Sequence, residues 1–224
     1  MYKIETHLHT GLCSSCGRLD TQTILEGYAA AGYHAITVTD HFSRYNFERQ
    51  PWSTNRQEWN PDLFLEGYYQ LKDQAAAFGM KVYRGAEVRF DGSRNDYLLY
   101  NYPMEFLEDP EGFFTMTLED FYPLCQKAGA LIVQAHPFRE PCIPSDIRYL
   151  DGVEVMNMHP RHDSRNHLAW EMARQDDRLI RLCGSDCHQL PDIGAGGILS
   201  EILPEDEQAL AQLLRSRNFT LMHK

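Results

Sequence analysis

The feature that most constrains this chain is an alternation. Short apolar runs that read as buried strands recur along it, and segments of helical period fall between several of them. Runs at residues 2–8, 35–39, 130–135, 152–156 and 179–184 fit strands, and runs at 81–90 and 96–102 flank the turn Asp91-Gly92-Ser93. Helical patterns cover residues 21–32, 62–78, 117–128, 163–175 and 205–216, with a last strand at 219–222. Asp20 or Thr21 suits the N-cap of the first helix, and Gly32 and Gly79 suit helix stops. Residues 42–60, polar and aromatic with Pro51 inside and Pro61 just after, read as a long loop. The pattern specifies a mostly parallel sheet with helices outside it. There is no linker, repeat or low-complexity segment, so residues 1–224 are expected to form one α/β domain. No GxGxxG or GxxxxGK[ST] motif follows a strand, so a nucleotide-cofactor fold has no support.

The predicted strands end in metal-ligating residue types. His7 and His9 end the first, Asp40 and His41 follow the second, and Glu87 lies within the third. His136 follows the 130–135 run, and Asp186 and His188 follow the 179–184 run. Residues two apart on a strand share a face, so His7 and His9 project together, as do Asp186 and His188 if strand geometry continues. Each pair alone is an ordinary polar strand end. Recurrence on five strands is what points to a metal site, because parallel barrels build their sites from the C-terminal ends of several strands. Imidazole nitrogen and carboxylate oxygen suit Zn²⁺, Mn²⁺ and Fe ions.

Composition narrows the function. Lys and Arg number 21 against 32 Asp and Glu, a net charge of −11, which argues against coating long nucleic acids. Anionic substrates stay open, since bound cations reverse the local sign. No apolar run nears the roughly 20 residues that span a bilayer, and the N-terminus lacks a signal-peptide core. A cytoplasmic protein is therefore expected. The six cysteines are expected to remain thiols there, and they form one CxxC (Cys13, Cys16) with no second to complete a four-cysteine zinc site.

The segments Thr6-His7-Leu8-His9-Thr10, Ile36 to His41, Gly85-Ala86-Glu87, Gln134-Ala135-His136-Pro137 and Gly184-Ser185-Asp186-Cys187-His188 resemble, in order, the motifs of the PHP (polymerase and histidinol phosphatase) family. The run Gly152 to Asn157 is similar to that family's strand before the last motif. The resemblance implies a distorted (β/α)7 barrel, two or three divalent ions (Zn²⁺ or Mn²⁺, with Fe as an option), and phosphoester hydrolysis. It assigns His7, His9, Glu87 and Asp186 to one ion. Glu87 would bridge to a second, also held by His136, while His41 and His188 would hold a third. Two departures stand out. Residues 95–100 carry no histidine where the family often has one, and the region after HxH offers Cys13 or Cys16 in place of another frequent ligand.

A hydroxide bridging two cations would attack phosphorus in line. The leaving alkoxide needs a proton or a metal, for which His188 and Asp40 are the candidates. Asp40 also suits a partner that orients a histidine, the reading favoured here. Arg139, Arg161 and Arg165 are the expected phosphate-binding cations, since guanidinium binds phosphate bidentately. His159, His162 and His167 read as loop or helix-surface residues, and Trp52 and Trp59 as lid or loop packing. The expected substrate is a small phosphorylated metabolite. The alternatives are a nuclease for short oligonucleotides or nucleotide phosphates, and a non-catalytic metal-bound regulatory module. The sequence fixes no oligomeric state.

Overall fold

The computed structural model describes residues 1–51 and 59–223. Strand β1 (Tyr2–Leu8) is the hub of the sheet. On one side it pairs in parallel with β2 (Ala35–Val38), which pairs in parallel with β4 (Lys81–Val88); β3 (His41–Phe42) extends the β2 line along the far half of β4. The sheet continues through β5 (Tyr97–Tyr100), β6 (Leu131–Gln134), β7 (Gly152–Asn157) and β8 (Ile180–Gly184). Just past β8 a parallel bridge joins Cys187 to Leu8, and His9 N donates to Cys187 O at 3.0 Å. These contacts bring the sheet back onto β1 as a nearly closed barrel. Beyond it, β9 (Gly196–Ser200) and β10 (Phe219–His223) form an antiparallel flank on the first residues of β1.

The sheet is mixed, with five parallel strand pairs among the described residues, as expected in the majority, and four antiparallel ones. β5 runs antiparallel to both β4 and β6. The connection from β4 to β5 is a hairpin turn, with Gly92 at φ +73°, and is too short for the crossover that parallel pairing needs. Other boundaries differ locally. The stretch read as one loop from residue 42 contains the end of β3 and the short helix α2 (Arg44–Phe47), which Ser43 caps by accepting from Asn46 N. The helix expected over 62–78 is broken at Leu65 into α3 (Pro61–Phe64) and α4 (Glu66–Ala75), with a 3₁₀ turn up to the left-handed Gly79. The remaining helices are α1 (Thr21–Ala30), α5 (Pro110–Phe114), α6 (Leu118–Ala128), α7 (Asn166–Ala173) and α8 (Glu207–Ser216). α7 starts three residues later than expected, because Arg165 has φ +48°.

Side-chain alternation along the strands separates two apolar layers. Ile36, Val38, Ala86, Val88, Leu99, Ile132, Val153 and Val155 pack outward under the helices. Ile4, Tyr83, Leu98, Tyr100, Leu131, Val133, Ile180 and Leu182 form a second cluster, which α8 joins with Leu210 and Leu214. Tyr83 and Glu87 share one parity on β4, so the same strand face carries an apolar residue first and a carboxylate near its C-terminal end. Gly184 is required there. A Cβ on it would sit 2.5 Å from His7 Cβ and 2.9 Å from Glu154 Oε1.

Candidate metal centre

His7, His9, Glu87 and Asp186 converge at the C-terminal ends of β1, β4 and β8, all of them buried. Nε2 of His7 and Nε2 of His9 face each other at 3.1 Å. His7 Nε2 is 3.4 Å from Asp186 Oδ1 and 3.5 Å from Glu87 Oε2, and His9 Nε2 is 3.3 Å from both. Glu87 Oε2 is buried and makes no hydrogen bond of acceptable geometry, although His41 Nδ1 lies only 2.9 Å away. Glu154, inside β7, takes His7 Nδ1 at 2.8 Å. With Nδ1–H given to that carboxylate, the Nε2 lone pair of His7 points into the cluster. Two imidazole nitrogens and two carboxylate oxygens brought together, one oxygen without a hydrogen-bond partner, make a donor set that fits a divalent cation.

Charge balance supports the same reading. Burial alone would push the His7 pKa down, but Asp186, Glu154 and Glu87 outweigh it and hold it well above the ordinary value. Burial opposes the charged form of Glu87 too, yet His41, His7 and His136 hold its carboxyl well below the usual range. A divalent cation would balance these carboxylates. Two of the converging residues, His136 at φ +28° and Asp186 at φ +52°, sit in the left-handed region that non-glycine residues rarely adopt, as is common where a site dictates side-chain aim.

The cluster extends both ways. On one side His136 Nε2 is 3.0 Å from Glu87 Oε1, with Asp96 Oδ2 4.0 Å from the same nitrogen. Asp96 occupies the stretch that lacks a histidine, and its carboxylate also holds Arg89 through two contacts of 2.6 Å. On the other side the ligand atoms of His9, His41 and His188 lie within 4.8 Å of one another. His188 Nδ1 contacts the Asp186 carbonyl at 2.8 Å, leaving Nε2 on the cavity side. Cys16 borders these rings. Burial raises its thiol pKa, but hydrogen bonds with His188 and His41 more than offset this and bring it to about 5. Cys13 faces away, its Sγ accepting from Gly67 N at 3.3 Å.

Asp40 does not line the cavity. Its oxygens accept from Thr10 N (2.7 Å), Thr10 Oγ1 (2.8 Å) and Ser14 Oγ (2.6 Å), and Ser14 Oγ in turn contacts His9 Nδ1 and accepts from His41 N. Ser14 thus links the Asp40 carboxylate to His9 and to the His41 backbone.

Above the cluster opens a cavity of about 420 Å³. Arg139 and Arg161 line it, and so do Arg18 and Arg89, which sequence reasoning did not single out. Arg139 NH1 reaches Asp186 Oδ2 at 2.7 Å, and its NH2 bonds Asn157 Oδ1. Arg161 is clamped by both oxygens of the buried Asp192. Arg165 lies outside, its guanidinium 3.8 Å from Glu140. His159 is buried against the cavity, unlike its expected surface position, and His162 lines it too. Trp59 is packing: its Nε1 donates to Leu107 O at 2.8 Å and its ring meets Phe42 and Phe47, while Trp52 lies outside the described residues. Glu154 also went unassigned in the sequence. A glutamate between Val153 and Val155 in a strand is the signal that could have found it.

Comparison with known proteins agrees with this geometry. A family model, PHP domain, matches residues 5–214. No curated protein sequence matches the chain. Among solved structures, a two-domain protein of Bacteroides vulgatus containing a predicted PHP-like metal-dependent phosphoesterase is 17% identical with TM-score 0.68, covering 99% of this chain and 64% of that one. PsfC of Pseudomonas syringae is 20% identical with TM-score 0.66, covering 100% and 91%. The lesion-specific endonuclease EndoQ of Pyrococcus furiosus is 14% identical with TM-score 0.63, covering 99% and 57%. This chain thus spans less than two thirds of the first and third. The chain belongs to the PHP domain family.

Proposed function

We propose that the protein is a metal-dependent phosphoesterase acting on a small phosphorylated metabolite. The observation that carries this is the approach of Glu87 Oε2, which has no hydrogen-bond partner, and of Asp186 Oδ1 to the paired Nε2 atoms of His7 and His9. Those four would hold one ion, Glu87 and His136 a second, and His41 and His188 a third, with Zn²⁺ or Mn²⁺ suiting the donors and Fe an option. Bound ions would supply Lewis acidity and a hydroxide at neutral pH. The chain's own residues do the rest. Arg139, Arg161 and Arg18 line the cavity over the cluster and are the cations that would meet a phosphoryl group there. Arg165 lies outside the cavity lining, apart from that set. Of the two groups weighed for protonating the leaving alkoxide, His188 lines the cavity and Asp40 does not. With Nδ1 committed to the Asp186 carbonyl, His188 Nε2 either ligates an ion or carries that proton, and cannot do both at once.

The cavity size and the net charge of −11 favour a small substrate over a long nucleic acid. No helix among the described residues is long and apolar enough to cross a membrane, and the six cysteines are unpaired, which suits a reducing cytoplasm. EndoQ is an endonuclease, so cleavage of short nucleic acids is the rival activity. The test is phosphate release from a panel of small monoesters, beside digestion of short oligonucleotides, with Mn²⁺ or Zn²⁺ added. Monoester turnover is expected. Oligonucleotide cleavage alone would transfer the assignment to a nuclease, and no turnover with any metal would favour a regulatory module.

A further inference from the structure

A second cavity, of about 210 Å³, lies away from the metal centre. Trp170 of α7, Leu179, and Phe219 and Leu221 of β10 form its apolar walls, while Arg181 of β8 and Arg217 add two guanidiniums. Arg181 is the second residue of β8, and Asp186 lies beyond the end of that strand. Five residues of extended chain separate them by about 15 Å. The two cavities therefore belong to opposite ends of the barrel.

The guanidiniums here are incompletely satisfied. Arg181 NH2 donates to Ala173 O at 3.3 Å and lies 3.6 Å from Asp177 Oδ1, and the guanidinium carbon is 5.9 Å from the centre of the Trp170 ring. Its Nε is buried and, among the described residues, has no hydrogen-bond partner. Arg217 NH1 donates to the Asp177 carbonyl and, among the described residues, has no carboxylate within ion-pair distance. The Asp177 side chain is fully exposed. Two cations against one exposed carboxylate leave an excess of one positive charge beside the apolar walls. A buried N–H without an acceptor is costly, so an acceptor is expected in the cavity. Water would satisfy that N–H but would leave the rings of Trp170 and Phe219 wet.

We propose that this cavity binds a small aromatic carboxylic acid. Its carboxylate accepts from Arg181 Nε and pairs with Arg217, and its ring packs on Trp170, Phe219 and Leu221. A monoanion balances the one excess charge, which favours a carboxylate over a doubly charged phosphate. The volume falls below the roughly 300–1,000 Å³ of drug-sized pockets, so the occupant is about one ring and one carboxylate. The site needs no metal ion and no turnover, and it stands whatever the metal centre does.

The test is NMR of the full chain, following the Trp170 indole N–H and the Arg181 Nε–H resonances as sodium benzoate is added. Both should shift saturably, with a Kd of about 1–10 mM for a ligand this small. Acetate, which has the charge without the ring, and benzyl alcohol, which has the ring without the charge, should each bind at least about tenfold more weakly. Arg181→Met keeps an apolar stem and removes the donor, and should weaken benzoate about tenfold or more. Arg217→Ser, at an exposed position, should weaken it about threefold and decides the matter if Arg181→Met fails to fold. No saturable shift in wild type overturns the proposal. So do shifts confined to the Arg139 and Arg161 Nε–H resonances at the metal centre, acetate or benzyl alcohol binding as tightly as benzoate, or a benzoate affinity unchanged in the arginine variants.

Discussion

Glu154 and His7 are joined by a 2.8 Å contact between buried atoms, and that contact decides which face of the His7 ring meets the cluster. The other Glu154 oxygen accepts from His136 N at 3.0 Å and from Asn157 Nδ2 at 2.9 Å. One carboxylate therefore contacts groups from β1, from the turn after β6 and from its own strand β7.

Glu154→Gln should weaken metal binding without emptying the cavity of ligands. A glutamine has one acceptor, so its NH₂ must face a donor at either His7 or His136. The expected loss is about 10–100-fold in metal affinity, read by competition with a chromophoric chelator. An unchanged affinity would show that Glu154 does not set the His7 orientation.

Chelation should destabilise the fold. An ion that binds only the folded chain adds RT ln(1 + [L]/Kd), about 2.7 kcal/mol at a hundredfold excess over Kd. For a chain of this size that corresponds to a drop of about 5–10 °C in Tm. A melting curve unchanged after verified metal removal would argue that the histidines are not ligands.

The sequence made the ligand residues legible because they recur at strand ends, and that survives errors of a residue or two in strand boundaries. His7, His9, Glu87 and Asp186 meet although β5 inverts the sheet locally, since β5 contributes none of them. Less was legible where the signal is tertiary. The two residues of β3 carry too little periodicity to stand out, and β9 opens on two glycines with only Ile198 and Leu199 apolar after them. Glu154 looked like one more strand residue because its role depends on neighbours from β1 and on the turn after β6. Arg139 and Arg161 line the cavity and Arg165 does not, a difference of tertiary position that no local pattern announces.

The Arg161–Asp192 pair predicts an acid-labile contribution to stability. Burial opposes the charged Asp192, but Arg161 and the N–H groups of His188 and Gln189 outweigh it and hold its pKa below the ordinary value. A depressed folded pKa gives stability that is present above the unfolded value near about 4 and is lost as pH falls through the folded value. Asp192→Asn should therefore cost about 1–3 kcal/mol at neutral pH. The gap to wild type should narrow when melting is repeated in acid. A gap independent of pH would assign the effect to packing.

Glu87 bears the central claim. Its Oε1 faces His136 at 3.0 Å, and its Oε2 lies among His7, His9 and His41, so it is placed to join neighbouring ions. A bridging carboxylate also offsets the repulsion between two close dications, which stays large at an effective dielectric of roughly 20. The most direct measurement is metal content per chain by elemental analysis, on protein purified without chelators. Glu87→Gln should lose more than one equivalent, and His188→Ala one at most. If Glu87→Gln keeps the wild-type count, the bridging assignment is wrong and the two-ion account loses its main support.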